Sequence, residues 1–145
     1  IYDYGKPFKR EAPGSQKQYG FCIPPMQRGT TVAVFEAAID AMAEMTLCGD
    51  AADKYRLSLG GVSSSGKEPL ALQEFLRQHP EITTIELRLD NDAKGRMASA
   101  CIQKIYTDRY QVLDLPPGIE GGDYADVAKN NLMARTAAHR AAACR

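Results

Sequence analysis

A strand followed directly by a helix can be recognised in residues 83–107, which read Thr83-Thr-Ile-Glu-Leu-Arg-Leu-Asp-Asn-Asp-Ala-Lys-Gly-Arg-Met-Ala-Ser-Ala-Cys-Ile-Gln-Lys-Ile-Tyr-Thr107. Up to Leu89, apolar residues alternate with polar ones, as in a half-buried β-strand. From Arg96 onward, apolar residues recur with the period of an α-helix. The polar segment between these elements, Asp90 to Gly95, therefore follows the end of a strand.

The same alternation of strand and helix extends to both sides of this stretch. Strands are predicted at 32–35, 56–59, 83–89 and 110–115, and helices at 37–48, 68–79, 96–107 and 123–143. This order predicts an α/β fold with a mostly parallel sheet of about four strands and helices on both faces. Repeated Pro and Gly predict an irregular N-terminal extension over 1–31, with one short strand near 19–23. We therefore divide the chain into this extension, a main domain at 32–128 and a helical tail at 129–145.

Composition sets limits on the class of protein. The 145 residues carry 18 basic and 18 acidic side chains, whereas proteins that bind duplex DNA on their own usually have a basic excess. The sequence contains no apolar run long enough to span a membrane. The four cysteines form no CxxC pair, which disfavours structural zinc and favours reduced thiols. We predict a cytoplasmic protein without a membrane partner.

Acidic residues follow two of the predicted strands. Glu36 comes directly after strand 32–35, and Asp90 and Asp92 come after the strand that ends at Leu89. The carboxyl ends of parallel strands meet at one edge of a sheet, where ligands bind. Carboxylate oxygens are ligands that Mg²⁺ prefers. The pattern predicts Mg²⁺ or Mn²⁺ held by these three residues; the alternative is a polar turn in which the aspartates cap the next helix.

These motifs resemble those of a known domain family. Three segments carry the resemblance: Phe35-Glu-Ala-Ala-Ile-Asp40, Leu89-Asp-Asn-Asp-Ala-Lys-Gly-Arg-Met-Ala98 and Pro117-Gly-Ile-Glu-Gly-Gly-Asp-Tyr-Ala-Asp126. They are similar to the Toprim domain, which is shared by bacterial primases, type IA and type II topoisomerases and some nucleases. Residues 14–21 also resemble an uncharacterised module that precedes Toprim domains in proteins of plasmids, phages and integrated elements.

The resemblance implies metal-dependent phosphodiester chemistry on nucleic acid, either primase-like nucleotidyl transfer or strand cleavage. Glu36 would bind metal or act as general acid/base, and Asp90 and Asp92 would hold Mg²⁺ or Mn²⁺. The implied partners are nucleic acid, DNA rather than RNA, and the other domains of a larger replication or DNA-processing protein of a mobile element. We expect an enzyme, but the modules that complete a primase or a topoisomerase do not fit within 145 residues.

Further residues are expected to assist the acidic ones. Arg96 would contact phosphate or brace the acidic loop, while Asp40 and Gly95 would support the ligands from behind. The segment Gly61-Val-Ser-Ser-Ser-Gly-Lys-Glu68 nearly matches a phosphate-binding P-loop. Its last residue is a glutamate where Ser or Thr should bind Mg²⁺, so nucleotide hydrolysis is disfavoured, although Lys67 is predicted to contact phosphate.

Two other functions compete with this prediction. A phosphotransfer enzyme would use Asp90 as the nucleophile, but Ala93 stands where a hydroxyl residue is expected. A catalytically silent Toprim-like module would serve only for binding or as a scaffold. The zero net charge favours such a module, whereas three carboxylates at strand ends oppose it.

Overall fold

The computed structural model describes the backbone of residues 2–3, 6–7, 12–48, 53–62 and 66–143. Residues 63–65, in the loop predicted to contact phosphate, lie outside this part. The strands are β1 (Tyr2–Asp3), β2 (Lys6–Pro7), β3 (Cys22–Ile23), β4 (Thr31–Phe35), β5 (Tyr55–Ser58), β6 (Thr84–Leu87) and β7 (Gln111–Asp114). The helices are α1 (Ala38–Leu47), α2 (Leu70–Gln78), α3 (Ala93–Tyr106) and α4 (Tyr124–Ala143).

The main sheet has five strands in the order β3-β5-β4-β6-β7. β4 lies in parallel between β5 and β6, and β7 continues the parallel part beyond β6. The predicted α/β fold with a mostly parallel sheet is therefore confirmed. The additional strand is β3, which comes from the N-terminal extension and pairs antiparallel with β5 through Cys22 and Leu57. A separate two-stranded sheet joins β1 to β2.

Each face of the main sheet is covered by helices. Along β4, Val32 and Val34 belong to the core under α2 and α3, while Ala33 and Phe35 belong to the core under α1 and α4. This strand is apolar at successive positions because both of its faces are buried. The larger core also contains, among others, Leu57, Leu72, Phe75, Ile85, Leu87, Leu89, Ile102 and Tyr106.

The connections after β4 and β6 lead to opposite faces of the sheet. The chain leaves β4 for α1, which covers one face, and leaves β6 for α3, which covers the other. Because β4 and β6 are neighbours, a crevice opens between their carboxyl ends. This is the topological switch point at which ligands bind in open α/β sheets.

Some boundaries differ from those predicted. α3 begins at Ala93 rather than Arg96, because Asp92 provides its N-cap. The boundary predicted between residues 128 and 129 falls inside α4, which continues through it. In the part of the chain that the structure describes, no helix is both long enough and apolar enough to cross a lipid bilayer.

Candidate active site at the switch point

The strand ends bring the predicted acidic residues to one edge of the sheet. Glu36 directly follows β4, and its carbonyl accepts a hydrogen bond from Gly61 N at 2.9 Å. Arg88 N donates to Val34 O at 2.9 Å, so the pairing of β4 with the chain that leads to Asp90 continues past the end of β6. Glu36 and Asp90 therefore lie on neighbouring segments at the border of the crevice.

Asp90 lies in a field of negative charge. Burial raises its pKa, and the nearby carboxylates of Glu36, Asp40, Asp123 and Asp92 raise it further, to about 7. These carboxyl groups, together with Asp90 itself, are called the acidic edge below. Like charges this close are mutually unfavourable unless a cation offsets them.

Asp92 has a structural role in addition to its charge. Its Oδ1 accepts a hydrogen bond from Gly95 N at 2.7 Å and so caps α3. Helix capping, which was the alternative explanation of this residue, is therefore observed for Asp92. The bond involves only one of its two carboxylate oxygens.

Two residues of α3, Gly95 and Arg96, hold the acidic loop in position. The Arg96 guanidinium donates to both carboxylate oxygens of Asp114, at 2.9 and 2.8 Å, and to Leu89 O at 3.0 Å. This geometry braces the loop, which is one of the two roles expected of Arg96. A Cβ on Gly95 would lie 2.1 Å from Asp90 O, so α3 approaches the loop this closely only because residue 95 is glycine.

Asp40 links the acidic edge to α4. Its side chain is only 3% exposed, and its Oδ1 accepts a hydrogen bond from Ala125 N in the first turn of α4 at 3.3 Å. Burial raises the pKa of Asp40, and the charge of Asp123 adds to the effect. Asp40 thus connects α1 to the first turn of α4 through a backbone amide.

Asp123 is a member of the acidic edge that was not among the predicted site residues. The loop before it pairs with the acidic loop, since Asn91 N donates to Gly122 O at 2.9 Å and Gly121 N donates to Asn91 O at 2.8 Å. Asp123 also accepts a hydrogen bond from Asp126 N at 2.7 Å at the start of α4. The sequence signal was its place after a Gly-Gly pair, but only the fold brings it near Asp90.

Lys94 was likewise missed. Its ammonium nitrogen lies 3.5 Å from Glu36 Oε1, and the two side chains are 51% and 18% exposed. Lys94 lies within the acidic motif, and the sequence alone gives no reason to expect a contact with Glu36, which is 58 positions earlier in the chain. By contrast, Lys67 lies on the rim of a separate cavity.

The acidic edge has the chemistry of a divalent-metal site. Among the residues that the structure describes, no three Asp, Glu, His or Cys side chains form a group that could hold a metal ion. Mg²⁺, however, keeps several waters and needs only one or two carboxylates besides substrate phosphates. Hard oxygen donors and the surplus of negative charge around Asp90 fit such an ion.

Comparison with known proteins supports the same reading of the fold. A family model for Toprim-like domains matches residues 33–128, more than half of the chain, including Glu36 and the acidic loop. A search of curated proteins finds no match. The matched range contains the mostly parallel sheet and its switch point. The chain therefore belongs to the Toprim-like family, whose domains generally bind divalent metals and serve nucleic-acid-related functions.

Proposed function

We propose that this chain performs Mg²⁺- or Mn²⁺-dependent phosphodiester chemistry on DNA, as one domain of a larger replication or DNA-processing protein. The chemistry is nucleotidyl transfer of the primase kind or strand cleavage. The observation that carries the proposal is the acidic edge at the switch point of the sheet, where burial and four neighbouring carboxylates together raise the pKa of Asp90 to about 7. A fold does not gain stability from such a cluster, so binding a cation is its best explanation.

Asp90 and Asp92, with Glu36, would hold the metal ion. When bound, such an ion polarises a phosphoryl oxygen and neutralises charge that develops during the reaction. Arg96 keeps the backbone of Asp90 in place through its hydrogen bonds to Leu89 O and Asp114. The loop that carries Asp90 is therefore held by Arg96, and the Arg96 side chain is held in turn by Asp114.

Glu36 is the residue best placed to move a proton. It is partly buried at the border of the crevice, beside the Lys94 ammonium. As general base it would take the proton of an attacking hydroxyl or water; as general acid it would protonate the leaving oxygen. The first turn of α3 contributes the positive end of a helix dipole on the side from which a phosphate would approach.

Metal binding provides the first test. Mn²⁺ and Mg²⁺ are titrated by calorimetry into the wild-type chain and into an Asp90→Asn/Asp92→Asn variant, in which asparagine retains the cap of α3. We expect the variant to lose at least about tenfold in affinity, because two charged ligands become neutral. Asp108→Asn, an exposed aspartate beyond the far end of α3, serves as control and should bind as wild type does. Equal binding by all three proteins would contradict the proposed site.

Activity provides the second test. Labelled single-stranded and duplex DNA are incubated with Mn²⁺ or Mg²⁺, with and without nucleoside triphosphates, and the products are separated by length. Glu36→Gln should reduce the rate by about 100-fold or more, because it removes the proton-transfer group and keeps the side-chain shape. The longer products of nucleotidyl transfer and the shorter products of cleavage separate the two chemistries.

A silent binding module is the second candidate. It is favoured by the finding that no three described side chains form a metal-holding group, and by the net charge of zero. Such a module would bind DNA equally well in EDTA and in Mg²⁺. It would also show no change in DNA binding when Asp90 and Asp92 become asparagine.

A further inference from the structure

Lys94 brings a positive charge to the acidic edge. Its ammonium nitrogen lies 3.5 Å from Oε1 of Glu36, which is one of the four carboxylates that surround Asp90. This distance is longer than the roughly 2.8 Å of a strong charge-assisted hydrogen bond. Lys94 and Glu36 therefore form an ion pair that can be broken without the loss of a short hydrogen bond.

The position of Lys94 within its helix is unfavourable by local rules. Lys94 is the second residue of α3, directly after Ala93 and the N-cap Asp92. The first turn of a helix carries the positive end of the helix dipole, so acidic side chains are favoured there and cations are not. Residues that break a local preference are found mainly at functional sites. Helix formation does not explain a lysine at this position, whereas a role at the acidic edge does.

Lys94 can change its partner, unlike the other cation of the same turn. Its side chain is 51% exposed and ends in a point charge on a flexible four-carbon stem. The guanidinium of Arg96, by contrast, is held by Asp114 and by Leu89 O. Of these two cations, Lys94 is the one that can move between an internal carboxylate and a bound anion.

A metal ion on Glu36 and the present position of Lys94 exclude each other. Glu36 is one of the three proposed metal ligands, and a divalent cation and an ammonium on the same carboxylate repel each other. Lys94 would then have to leave Glu36, and its charge would need a new anionic partner. A DNA phosphate at the crevice is such a partner, because lysine binds phosphate as a point charge.

We propose that Lys94 is an internal counter-ion of the acidic edge, which leaves Glu36 when a divalent metal ion binds there and then contacts a phosphate of the DNA. The proposal rests on the proposed function for the metal site and the substrate. It makes the two binding events cooperative. Metal binding frees the ammonium that DNA needs, and by linkage DNA binding strengthens metal binding by the same factor.

Metal binding without DNA gives the first test. Mn²⁺ is titrated by calorimetry into the wild-type chain, Lys94→Gln, Lys94→Arg and Lys104→Gln. Lys94→Gln should bind Mn²⁺ about three- to tenfold more tightly than the wild type, because a positive charge beside a ligand is removed. Lys94→Arg keeps the charge and should stay within about twofold of the wild type. Lys104 is the matched control, since it is exposed on the same helix about 15 Å further along the axis.

DNA binding gives the second test, measured by fluorescence anisotropy with a labelled single strand in EDTA and in Mn²⁺. In Mn²⁺, Lys94→Gln should bind DNA about tenfold more weakly than Lys104→Gln, which loses the same net charge. In EDTA the two variants should bind alike, because Lys94 is then held by Glu36. Tighter metal binding combined with weaker DNA binding is the signature of exchange, since a lysine with a merely structural role would weaken both.

A double-mutant cycle shows whether Lys94 acts through Glu36. In the Glu36→Gln background, Lys94→Gln should change the Mn²⁺ affinity by less than about twofold, because the contested carboxylate is gone. An effect as large as that in the wild-type background would overturn the proposed exchange. Thermal melts establish that each variant is folded.

The two proposals fail in different ways. If Asp90→Asn/Asp92→Asn loses Mn²⁺ while Lys94→Gln and Lys104→Gln have equal affinities for Mn²⁺, or equal affinities for DNA in Mn²⁺, the exchange by Lys94 is overturned and the proposed metal site stands. If Lys94→Gln shows the expected pair of changes but the wild type neither extends nor cleaves DNA, the proposed chemistry fails and the exchange stands. Absence of Mn²⁺ binding in both the wild type and Lys94→Gln overturns both.

Discussion

The charges of the acidic edge affect the stability of the protein through the ionisation of Asp90. Its folded-state pKa of about 7 lies above that of an exposed aspartate, so the native protein holds a proton that the unfolded chain has already released. Such a group stabilises the fold at low pH relative to high pH, and that contribution is lost as the pH rises towards 7. The pH range concerned runs from about 4 to about 7.

The first prediction follows from the upward direction of the Asp90 pKa shift. Asp90→Asn should raise the free energy of unfolding of the metal-free protein at pH 8 by about 1–2 kcal/mol, a value reduced from the full shift because solvent screens the site. At pH 5 the gain should be smaller, since the native carboxyl is then mostly protonated. Urea unfolding at both pH values measures the difference, and an equal effect at both would contradict the assignment of the pKa.

Gly95 gives a second prediction at this scale. Gly95→Ala puts a Cβ into the backbone carbonyl of Asp90, at 2.1 Å in the present geometry, so α3 and the acidic loop must separate. We expect a loss of about 1–3 kcal/mol in the free energy of unfolding, together with weaker metal binding. Gly118→Ala is the control, because nothing lies within 4 Å of its Cβ position. If the two variants were equally stable, the close approach would not matter.

Sequence reasoning could place residues of the candidate site at a common edge of the sheet wherever strand ends determine their position. Glu36 and Asp90 follow apolar strands, so their edge could be predicted from the order of strands alone. Lys94 and Asp123 could not be placed in this way. Their proximity to Glu36 and Asp90 depends on the exit angle of α3 and on the pairing of Asn91 with the loop at Gly121 and Gly122.

At the scale of elements, a buried ionic network fastens α1 to the sheet. Glu44 on α1 is 1% exposed and accepts a hydrogen bond from Arg56 Nε on β5 at 2.6 Å, and Arg88 NH1 lies 3.3 Å from it. Arg88 also contacts Glu86 and the Tyr124 hydroxyl of α4. Burial alone would raise the pKa of Glu44, but these cationic partners lower it overall. The network joins α1, β5 and α4 on one face.

Removal of the central anion should therefore be severe. Glu44→Ala leaves Arg56 buried without this counter-charge, and we expect a loss of about 3–5 kcal/mol in the free energy of unfolding. Glu74→Ala removes one member of the Arg77–Glu74 pair on the surface of α2 and should change stability little. Chemical denaturation of both variants makes the comparison. A small effect at position 44 would mean that water replaces the carboxylate.

Some helices and strands could be predicted from the sequence more accurately than others. The parallel strands and their helices follow from apolar periodicity, which the structure confirms. β3 is only two residues long and exists because it pairs with β5; moreover, a Cβ on Gly20 would lie 2.3 Å from Ser58 O. A short strand near residues 19–23 is predicted from the sequence and β3 lies within it, but its antiparallel pairing with β5 is not predicted. Periodicity placed the start of α3 late because Ala93 and Lys94 carry no apolar signal.

At the scale of the whole molecule, α4 divides into a packed part and an exposed part. Tyr124 packs edge-to-face on Phe35, and Val127 and Ala128 are half-buried, whereas residues 129–139 are all exposed. We propose that the domain is complete without the exposed part. A chain that ends at residue 130 should then melt within about 2 °C of the full chain, because the side chains described beyond that point, at 131–139, are all exposed. A larger decrease in the melting temperature would assign the exposed part a stabilising contact.

The acidic edge also has a consequence for how the protein responds to salt. The chain is neutral in total, yet its carboxylates are gathered where a polyanion is expected to arrive. Monovalent and divalent salts should therefore act in opposite directions. Sodium chloride would screen lysines such as Lys67, which is predicted to contact phosphate, while magnesium at constant ionic strength would remove the repulsion at the edge. In a cell, the concentration of free Mg²⁺ would then determine whether nucleic acid binds at the acidic edge.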